Sequence, residues 1–369
     1  MAEFFASIPA MIILTGALVG MSGALLGTFL VLRGTAMQTD AIAHAIVPGI
    51  VLVWMATGLT SGPVQVAGAA LAGVLAVALA EGLARQGILR MDAALGLVFT
   101  TFFAAGVLLI NLNARNLHLD VHSVLLGEIG FVWLDTVTLG GVAVPRAVLT
   151  LALVFLLNLG FVLALWKELT LSSFDPALAQ ALGLAPRAVG LGLSALTAVT
   201  AVAAFEAVGV ILFLAFVIVP PATAHLLSRK LPLIIALALG LGVLASVTGY
   251  HLAVQADVSI GGTMALVAGG FFAAAMLFAP RDGVLARARM RALLRLDRDA
   301  SALVAHLDTH AAPIGPSRGS QAAQLRADLH WSRARLQAAT LRALDRGLIT
   351  REGEGLRLSP KGQAQAQDF

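Results

Sequence analysis

The chain has 369 residues, of which 59% are hydrophobic and 12% are charged, and its mean hydropathy is +0.91. Soluble globular domains are about half apolar and about a quarter charged, so this composition excludes a soluble protein. It indicates instead a helical membrane protein with several spans. The sequence contains no cysteine, which excludes disulfides and thiolate metal ligands.

The net charge of +4 is distributed unevenly along the chain. Residues 281–369 carry 15 of the 24 Lys and Arg but only 9 of the 20 Asp and Glu. We therefore expect a transmembrane domain over residues 1–280, a basic juxtamembrane helix over 281–298 and a small cytoplasmic domain over 299–369. Arginines that directly follow a span favour anionic lipid at the cytoplasmic face.

Apolar runs predict the membrane spans, because about 20 such residues cross a bilayer as a helix. The first run lacks a basic leading region and a cleavage site, so we expect a retained span rather than a signal peptide. Most Lys and Arg between the runs fall on the side of the basic C-terminal segment, which places the C-terminus in the cytoplasm. Nine spans put the N-terminus outside; an eight-span version with one early re-entrant segment puts it inside. The candidate spans are roughly 10–32, 41–57, 64–84, 93–113, 138–166, 188–205, 207–227, 232–254 and 261–279.

Two ionisable residues, Asp40 and His44, stand four residues apart in an otherwise apolar stretch. On a helix they share one face, where a carboxylate oxygen and an imidazole nitrogen can bind a divalent manganese, zinc or iron ion. Two such helices on a two-fold axis would supply four ligands. In the alternative interpretation, Asp40 caps the helix and His44 is hydrogen-bonded inside the bundle. Pro48 and Gly49 are expected to bend or loosen the helix just beyond the pair.

The segments around this pair resemble the membrane subunit of manganese, zinc and iron ABC importers. The similarity covers about residues 8–280. It departs from the family pattern at Ala43, where a serine is expected, and at the pair Pro220-Pro221, where one proline is usual. The similar segments are GALLGTFLVLR (23–33), DAIAHAIVPG (40–49), LVFTTFFAAGV (97–107), SFDPALAQALG (173–183) and residues 206–224.

The resemblance implies an all-α permease that pairs with a second protomer, identical or not, in the bacterial cytoplasmic membrane. A separate ATPase would supply the energy, and an extracytoplasmic metal-binding protein would deliver the ion. The absence of a G-x-x-x-x-G-K-[ST] sequence agrees with a non-enzymatic subunit. The resemblance assigns metal passage to Asp40 and His44, with the transported divalent ion as cargo and no permanently bound cofactor.

The segment between residues 171 and 187 is the most polar interruption between spans, and it predicts a short helix. Ser173 or Asp175 could cap this helix, Pro176 fits its first turn and Gly183 ends it. An ordinary interhelical loop is the alternative. The resemblance assigns ATPase coupling to this segment, at Ser173, Phe174, Asp175, Pro176, Leu182 and Gly183.

Other polar residues are weaker candidates for the metal path. Glu206 lies in an apolar stretch, either as a functional carboxylate or as a protonated, hydrogen-bonded one. His225 and His251 lie near span ends, where solvation or a local bond explains them more simply. Two H-x-D-x-H sequences, 118–122 in the external loop and 306–310 in the C-terminal region, could bind metal but also fit exposed polar segments.

The C-terminal region shows helical periodicity over 325–344 and alternates around glycines, like a hairpin, over 346–362. It resembles the winged helix of bacterial metal-dependent repressors over about residues 290–365. Arg333, Arg335 and Arg342 could contact phosphates. However, a domain tethered under a membrane is badly placed to search a genome, so we expect regulation or subunit contact rather than DNA binding.

The fold class that we expect is an all-α polytopic membrane protein with eight or nine transmembrane helices and a small C-terminal winged-helix-like cytoplasmic domain. Two other functions are compatible with the residues alone. One is a gradient-driven secondary carrier with Glu206 as the proton carrier. The other is a membrane-tethered, metal-responsive regulator whose output is the winged helix.

Overall fold

The computed structural model describes residues 7–59, 62–87, 89–113, 128–139, 142–309, 321–352 and 355–367. By its internal contacts the chain divides into two compact units, of which the first ends at Leu277 and the second begins at Phe278.

The first unit is built mainly from apolar helices. Eight of its described helices are long and apolar enough to cross a membrane, and α6 and α7 are short. A short 3-10 helix, Ile129–Leu134, and two strands precede α5. In chain order the elements are α1 (Ile8–Leu32), α2 (Met37–Thr57), α3 (Pro63–Arg85), α4 (Met91–Asn113), β1 (Thr136–Leu139), β2 (Val142–Pro145), α5 (Arg146–Ala164), α6 (Trp166–Phe174), α7 (Pro176–Ala181), α8 (Pro186–Leu227), α9 (Leu231–Ala256) and α10 (Ile260–Phe278).

The fifth predicted span begins later than expected. The strands β1 and β2 pair in antiparallel fashion, with Thr136 opposite Pro145 and Leu139 opposite Val142. Threonine and valine alternate here and favour extended backbone. The prediction of a helix over 138–166 is therefore wrong for its first residues, and α5 starts only at Arg146.

Helix α8 has 42 residues, too many for one passage of a bilayer, and it is interrupted at Gly209, where φ is 77° and ψ is 171°. Gly190 lies against the side chain of Arg33, at the end of α1, while Val217 lies against Gly27 within α1. These two positions on α1 are about 9 Å apart, whereas residues 190 and 217 of a straight helix would be about 40 Å apart. The chain therefore reverses direction at Gly209.

A ring contact supports this reversal. The ring centroids of Phe205 and Phe213 are 5.4 Å apart in an edge-to-face arrangement, whereas eight residues along a straight helix rise about 12 Å. Residues 186–208 and 210–227 are thus two antiparallel helical segments. Among the described residues the chain then has nine passages, which favours the nine-span prediction over the eight-span alternative, and the predicted boundary near residue 206 is close to the observed one.

Helix α1 packs at the centre of the first unit through its glycines. A Cβ atom on Gly27 would overlap the carbonyl oxygen of Val217. At Gly20, an added Cβ would lie 3.1 Å from the carbonyl carbon of Gly242 on α9. Small residues at these positions let the helix backbones touch, which is how membrane helices gain packing contacts without a hydrophobic driving force.

The second unit has a small apolar core under a two-stranded hairpin. Helix α11 runs without a break through residue 298, so the basic segment and the first core helix are one helix. The hairpin predicted between 346 and 362 is present, with Ile349 opposite Leu358. The winged-helix assignment stays a prediction. The elements are α11 (Val284–Thr309), α12 (Gln321–Asp328), α13 (Arg333–Asp345), β3 (Ile349–Glu352), β4 (Gly355–Leu358) and α14 (Pro360–Gln367).

Ion pairs connect α13 to α11 in this unit. Arg335 donates to both carboxylate oxygens of Asp299, at 2.9 and 2.6 Å, and Arg342 donates to Asp297 at 2.7 Å. Arg346 adds a second positive charge 3.5 Å from Asp297. The hydrogen bond from Arg342 and these two charges hold the pKa of the Asp297 carboxyl below its usual value.

The close approach of α1 predicts the effect of a single methyl group. We expect Gly27→Ala to lower the free energy of unfolding of the detergent-solubilised protein by about 1–3 kcal/mol, because the Val217 backbone would have to move. Its melting temperature should fall accordingly. Gly160→Ala on α5 is the matched control, since no heavy atom lies within 4 Å of a Cβ added there. Equal melting temperatures for the two variants, measured by size-exclusion chromatography after heating, would contradict the packing described here.

The Asp297 ion pair predicts a pH-dependent contribution to the second unit. A carboxyl whose pKa is lowered by folding stabilises the fold above its unfolded pKa, and this contribution is lost as the pH falls through the lower folded value. Asp297→Asn should therefore speed hydrogen exchange in α11 and α13 by a similar factor at every pH from about 5 to 8. Asp308→Asn, at an exposed position of the same helix, should not; an equal effect of both variants would refute the assignment.

Candidate metal pathway and coupling surface

Asp40 and His44 lie on one face of α2, as their spacing predicts. The Nε2 atom of His44 is 3.7 Å from the Oδ1 atom of Asp40. A transition-metal ion lies about 2 Å from each nitrogen or oxygen ligand, so one ion fits between these two atoms. The side chains of His44 and Asp40 are 38% and 35% exposed in the single chain, which leaves the site open to further ligands.

Two aromatic rings of α4 orient the imidazole of His44. The ring of Phe99 stacks on it with centroids 5.6 Å apart and an interplanar angle of 27°. The ring of Phe103 meets it edge-on, also with centroids 5.6 Å apart. Neither phenylalanine is among the predicted site residues, and the only sequence signal for them is the resemblance of residues 97–107.

Helix α4 also packs against the turn of α2 that follows His44. Helix α2 continues through Pro48 to Thr57, so the proline does not break it. Because proline has no N–H group, the carbonyl of His44 has no helical hydrogen-bond donor at position 48. A Cβ added to Gly106 of α4 would lie 2.9 Å from the Pro48 nitrogen. The absence of a side chain at Gly106 therefore allows α4 to cover this part of α2.

The pair lies in the half of the bundle that contains Arg33. Helix α2 starts at Met37, only four residues after Arg33. Asp40 is about one turn and His44 about two turns from that start, in a helix about 30 Å long. The face that carries Asp40 and His44 therefore lies closer to this end of the bundle, called the Arg33 end, than to the other.

The three weaker metal candidates do not join the pair. Glu206 lies in an apolar stretch, as predicted, and is exposed three residues before the reversal at Gly209. His225 is exposed in the last turn of α8, and His251 is exposed on α9. Within the described ranges, no group of three or more His, Asp or Glu is arranged to hold a metal ion.

The two H-x-D-x-H sequences give no metal site in the part of the chain that the structure describes. Residues 118–122 and His310 lie outside the described residues. His306 is described, and its Nε2 atom is 3.4 Å from a carboxylate oxygen of Asp328 on α12. This contact joins two helices of the second unit.

The polar segment after α6 folds as its sequence predicts. The side chain of Asp175 accepts a hydrogen bond from the Leu178 amide at 2.9 Å, and Pro176 is the first residue of α7. Gly183 follows with φ of 80°, a conformation that favours glycine at a helix end. Of the two capping candidates, Asp175 is the cap, whereas the hydroxyl of Ser173 donates to the Leu169 carbonyl at 2.6 Å.

Three large apolar side chains of this segment are exposed. Phe174, Leu178 and Leu182 are 60%, 46% and 65% exposed. We call these three side chains the coupling face. An apolar patch on an otherwise polar segment is typical of a contact with another protein.

Two of the three arginines predicted as phosphate contacts form ion pairs within the second unit. Arg335 and Arg342 are paired with the carboxylates of α11 described above, and the Arg335 guanidinium also lies 4.7 Å from the centre of the Trp331 ring. Arg333 is exposed. Two of the three candidate phosphate contacts are therefore already used within the unit.

Known proteins similar to this chain are membrane proteins of metal transport systems. The "Zinc transport system membrane protein TroD" of Treponema pallidum (strain Nichols) is 41% identical over 357 residues, which is 96% of this chain and 97% of the relative. The "Manganese transport system membrane protein MntD" of Bacillus subtilis (strain 168) is 43% identical over 282 residues, 76% of this chain and 95% of the relative. The similarity to TroD thus extends into the second unit.

A solved structure shares the fold of the first unit. "PsaBC from Streptococcus pneumoniae in complex with Fab" superposes with a TM-score of 0.61 at 29% sequence identity, over 74% of this chain and 92% of that chain. Residues 7–279 match the sequence model of the ABC 3 transport family. The chain belongs to the ABC 3 transport family.

Proposed function

We propose that this chain is the permease subunit of an ATP-driven importer for a divalent transition metal, manganese, zinc or iron. The observation that carries the proposal is the pair Asp40 and His44, held 3.7 Å apart on one face of an apolar helix. Ionisable residues within membrane segments are costly and mark ion pathways. The names of the similar zinc and manganese proteins support the same class of cargo.

The pair suits transient rather than permanent binding. Asp40 supplies a negative oxygen and His44 a neutral nitrogen, a ligand set that manganese, zinc and ferrous iron all accept. Within the described residues, this face of one chain offers two ligating side chains, and conduction requires an ion to be held weakly enough to leave. A second protomer across a two-fold axis would complete four ligands, and the partial exposure of both side chains supports this arrangement.

The energy would come from a separate ATPase that binds the coupling face. The Arg33 end of the bundle would then face the cytoplasm, in agreement with the distribution of Lys and Arg. The opposite end, near the β1–β2 hairpin, would receive the ion from an extracytoplasmic binding protein. In this orientation the C-terminal unit is cytoplasmic, and we assign it to regulation or subunit contact.

The two alternative functions have less support. A gradient-driven carrier would use Glu206 as a proton-carrying group inside the membrane, but the chain belongs to an ABC transport family. A DNA-binding regulator would need free arginines on α13, whereas Arg335 and Arg342 are paired with aspartates.

The metal pair can be tested by uptake. In metal-starved cells that co-express the ATPase and the binding protein, Asp40→Ala and His44→Ala should each lower uptake of the cognate metal by about 10–100-fold or more, since even outer-shell partners of a metal site have effects of that size. Manganese, zinc and iron uptake should be measured in parallel, because wild-type uptake then identifies the ion.

His251→Ala is the matched control, because this histidine is exposed on α9 and away from the pair. It should transport at the wild-type rate. Complexes must be purified from every strain to show that the ATPase is still bound. Normal uptake by an assembled Asp40→Ala variant would rule out the pair as the pathway.

The coupling face predicts a binding defect that is separate from metal binding. The double variant Phe174→Ala/Leu182→Ala should weaken binding of the ATPase in nanodiscs by about tenfold or more, because truncating apolar interface anchors typically costs above 1 kcal/mol. Leu153→Ala is the control, since Leu153 is 69% exposed on the membrane-spanning helix α5. Equal ATPase affinity for both variants would place the docking surface elsewhere.

A further inference from the structure

Arg33 connects both ends of the segment that carries the coupling face. Its Nη1 group donates to the Ser172 hydroxyl at 3.3 Å, near the end of α6. Its Nη2 group donates to the Pro186 carbonyl at 3.4 Å, at the first residue of α8. The coupling face lies between these two contacts in the chain, so one guanidinium holds the segment at both of its ends.

The surroundings of Arg33 are built around the guanidinium. A Cβ atom on Gly190 would lie 2.8 Å from the Arg33 Nη2 atom, so the glycine leaves space for it. Burial lowers the pKa of Arg33, and the negative charge of Glu81 opposes this effect. The guanidinium stays protonated, since arginine retains its charge in proteins. A partly buried charge of this kind needs its partners.

A further polar contact joins α8 to α2, the helix that carries Asp40 and His44. Ser194, two turns after Pro186, shares its hydroxyl between the Gly190 carbonyl at 3.1 Å and the Gln38 side-chain oxygen at 3.4 Å. Gln38 is only 5% exposed and lies in the first turn of α2, two residues before Asp40. Polar contacts therefore run from α6 through Arg33 and the start of α8 to the turn that carries Asp40.

We propose that Arg33 is the positioning residue that transmits movement of the coupling face to the Asp40–His44 pair. Arg33 ends α1, and only a short turn separates it from α2. A rigid displacement of α6 and α7 by the ATPase would move Arg33 through Ser172, and the start of α2 would follow through the turn and through Gln38. This inference rests on the proposed function, because it requires ATP-driven transport by this chain.

The test is the amount of metal transported per ATP hydrolysed. The complete complex of permease, ATPase and binding protein is reconstituted in proteoliposomes, and metal uptake and phosphate release are measured together. Arg33→Gln should retain ATPase binding and hydrolysis but transport about tenfold less metal per ATP, within the range typical of coupling between two sites. A purely structural role would lower both rates together and leave the ratio unchanged.

Ser172→Ala provides a milder variant, since it removes one of the two contacts and no charge. It should lower the ratio in the same direction, and the double variant with Arg33→Gln should be no worse than Arg33→Gln alone, because both remove the same bond. Arg90→Gln is the matched control, as Arg90 is an exposed arginine just before α4, and its ratio should equal that of the wild type.

The outcomes separate the two proposals. If the wild-type complex shows no ATP-dependent uptake, the proposed function fails. If the wild type transports and both Arg33→Gln and Ser172→Ala show the wild-type ratio, the function stands and the role of Arg33 is refuted. A lower ratio of metal transported to ATP hydrolysed in both variants, with the ratio of Arg90→Gln unchanged, supports the role of Arg33.

Discussion

The contact between the Gly27 backbone and the Val217 carbonyl fixes the arrangement of the first unit. It holds the second half of α8 directly on α1, while the first half returns to the Arg33 side chain. Because lipid does not drive apolar helices together, backbone contact of this kind has to supply much of the packing. The start of α8, the polar segment before it and the first turn of α2 are all positioned relative to α1 in consequence.

Hydropathy alone predicts most of the membrane-spanning helices, because their length is set by bilayer thickness. It fails at residues 138–139 and 142–145, whose valines and leucine count as apolar in a long window although they lie in two paired strands. It locates the division of α8 only roughly. No proline or polar loop marks Gly209, whose positive φ glycine adopts readily. The contacts of the two segments with α1, such as that of Val217 with Gly27, are not visible in local sequence.

In the candidate site too, some features follow from local sequence and others from contacts between residues far apart in the chain. The shared face of Asp40 and His44 and the Asp175 cap follow from spacings of three or four residues, which helical geometry fixes. The stacking of Phe99 and Phe103 on His44, and the bonds of Arg33 to Ser172 and Pro186, join residues far apart in sequence. Their partners are chosen by the packing of whole helices, so no local pattern predicts them.

The reversal at Gly209 has a consequence for biosynthesis. Residues 186–208 and 210–227 are joined by a single non-helical residue, which is too short to leave one segment outside the bilayer after the other has entered. The two segments must therefore insert together as one hairpin, whose orientation is set by the basic residues at its two ends. A sequence tag or protease site placed at this joint would have no loop to occupy.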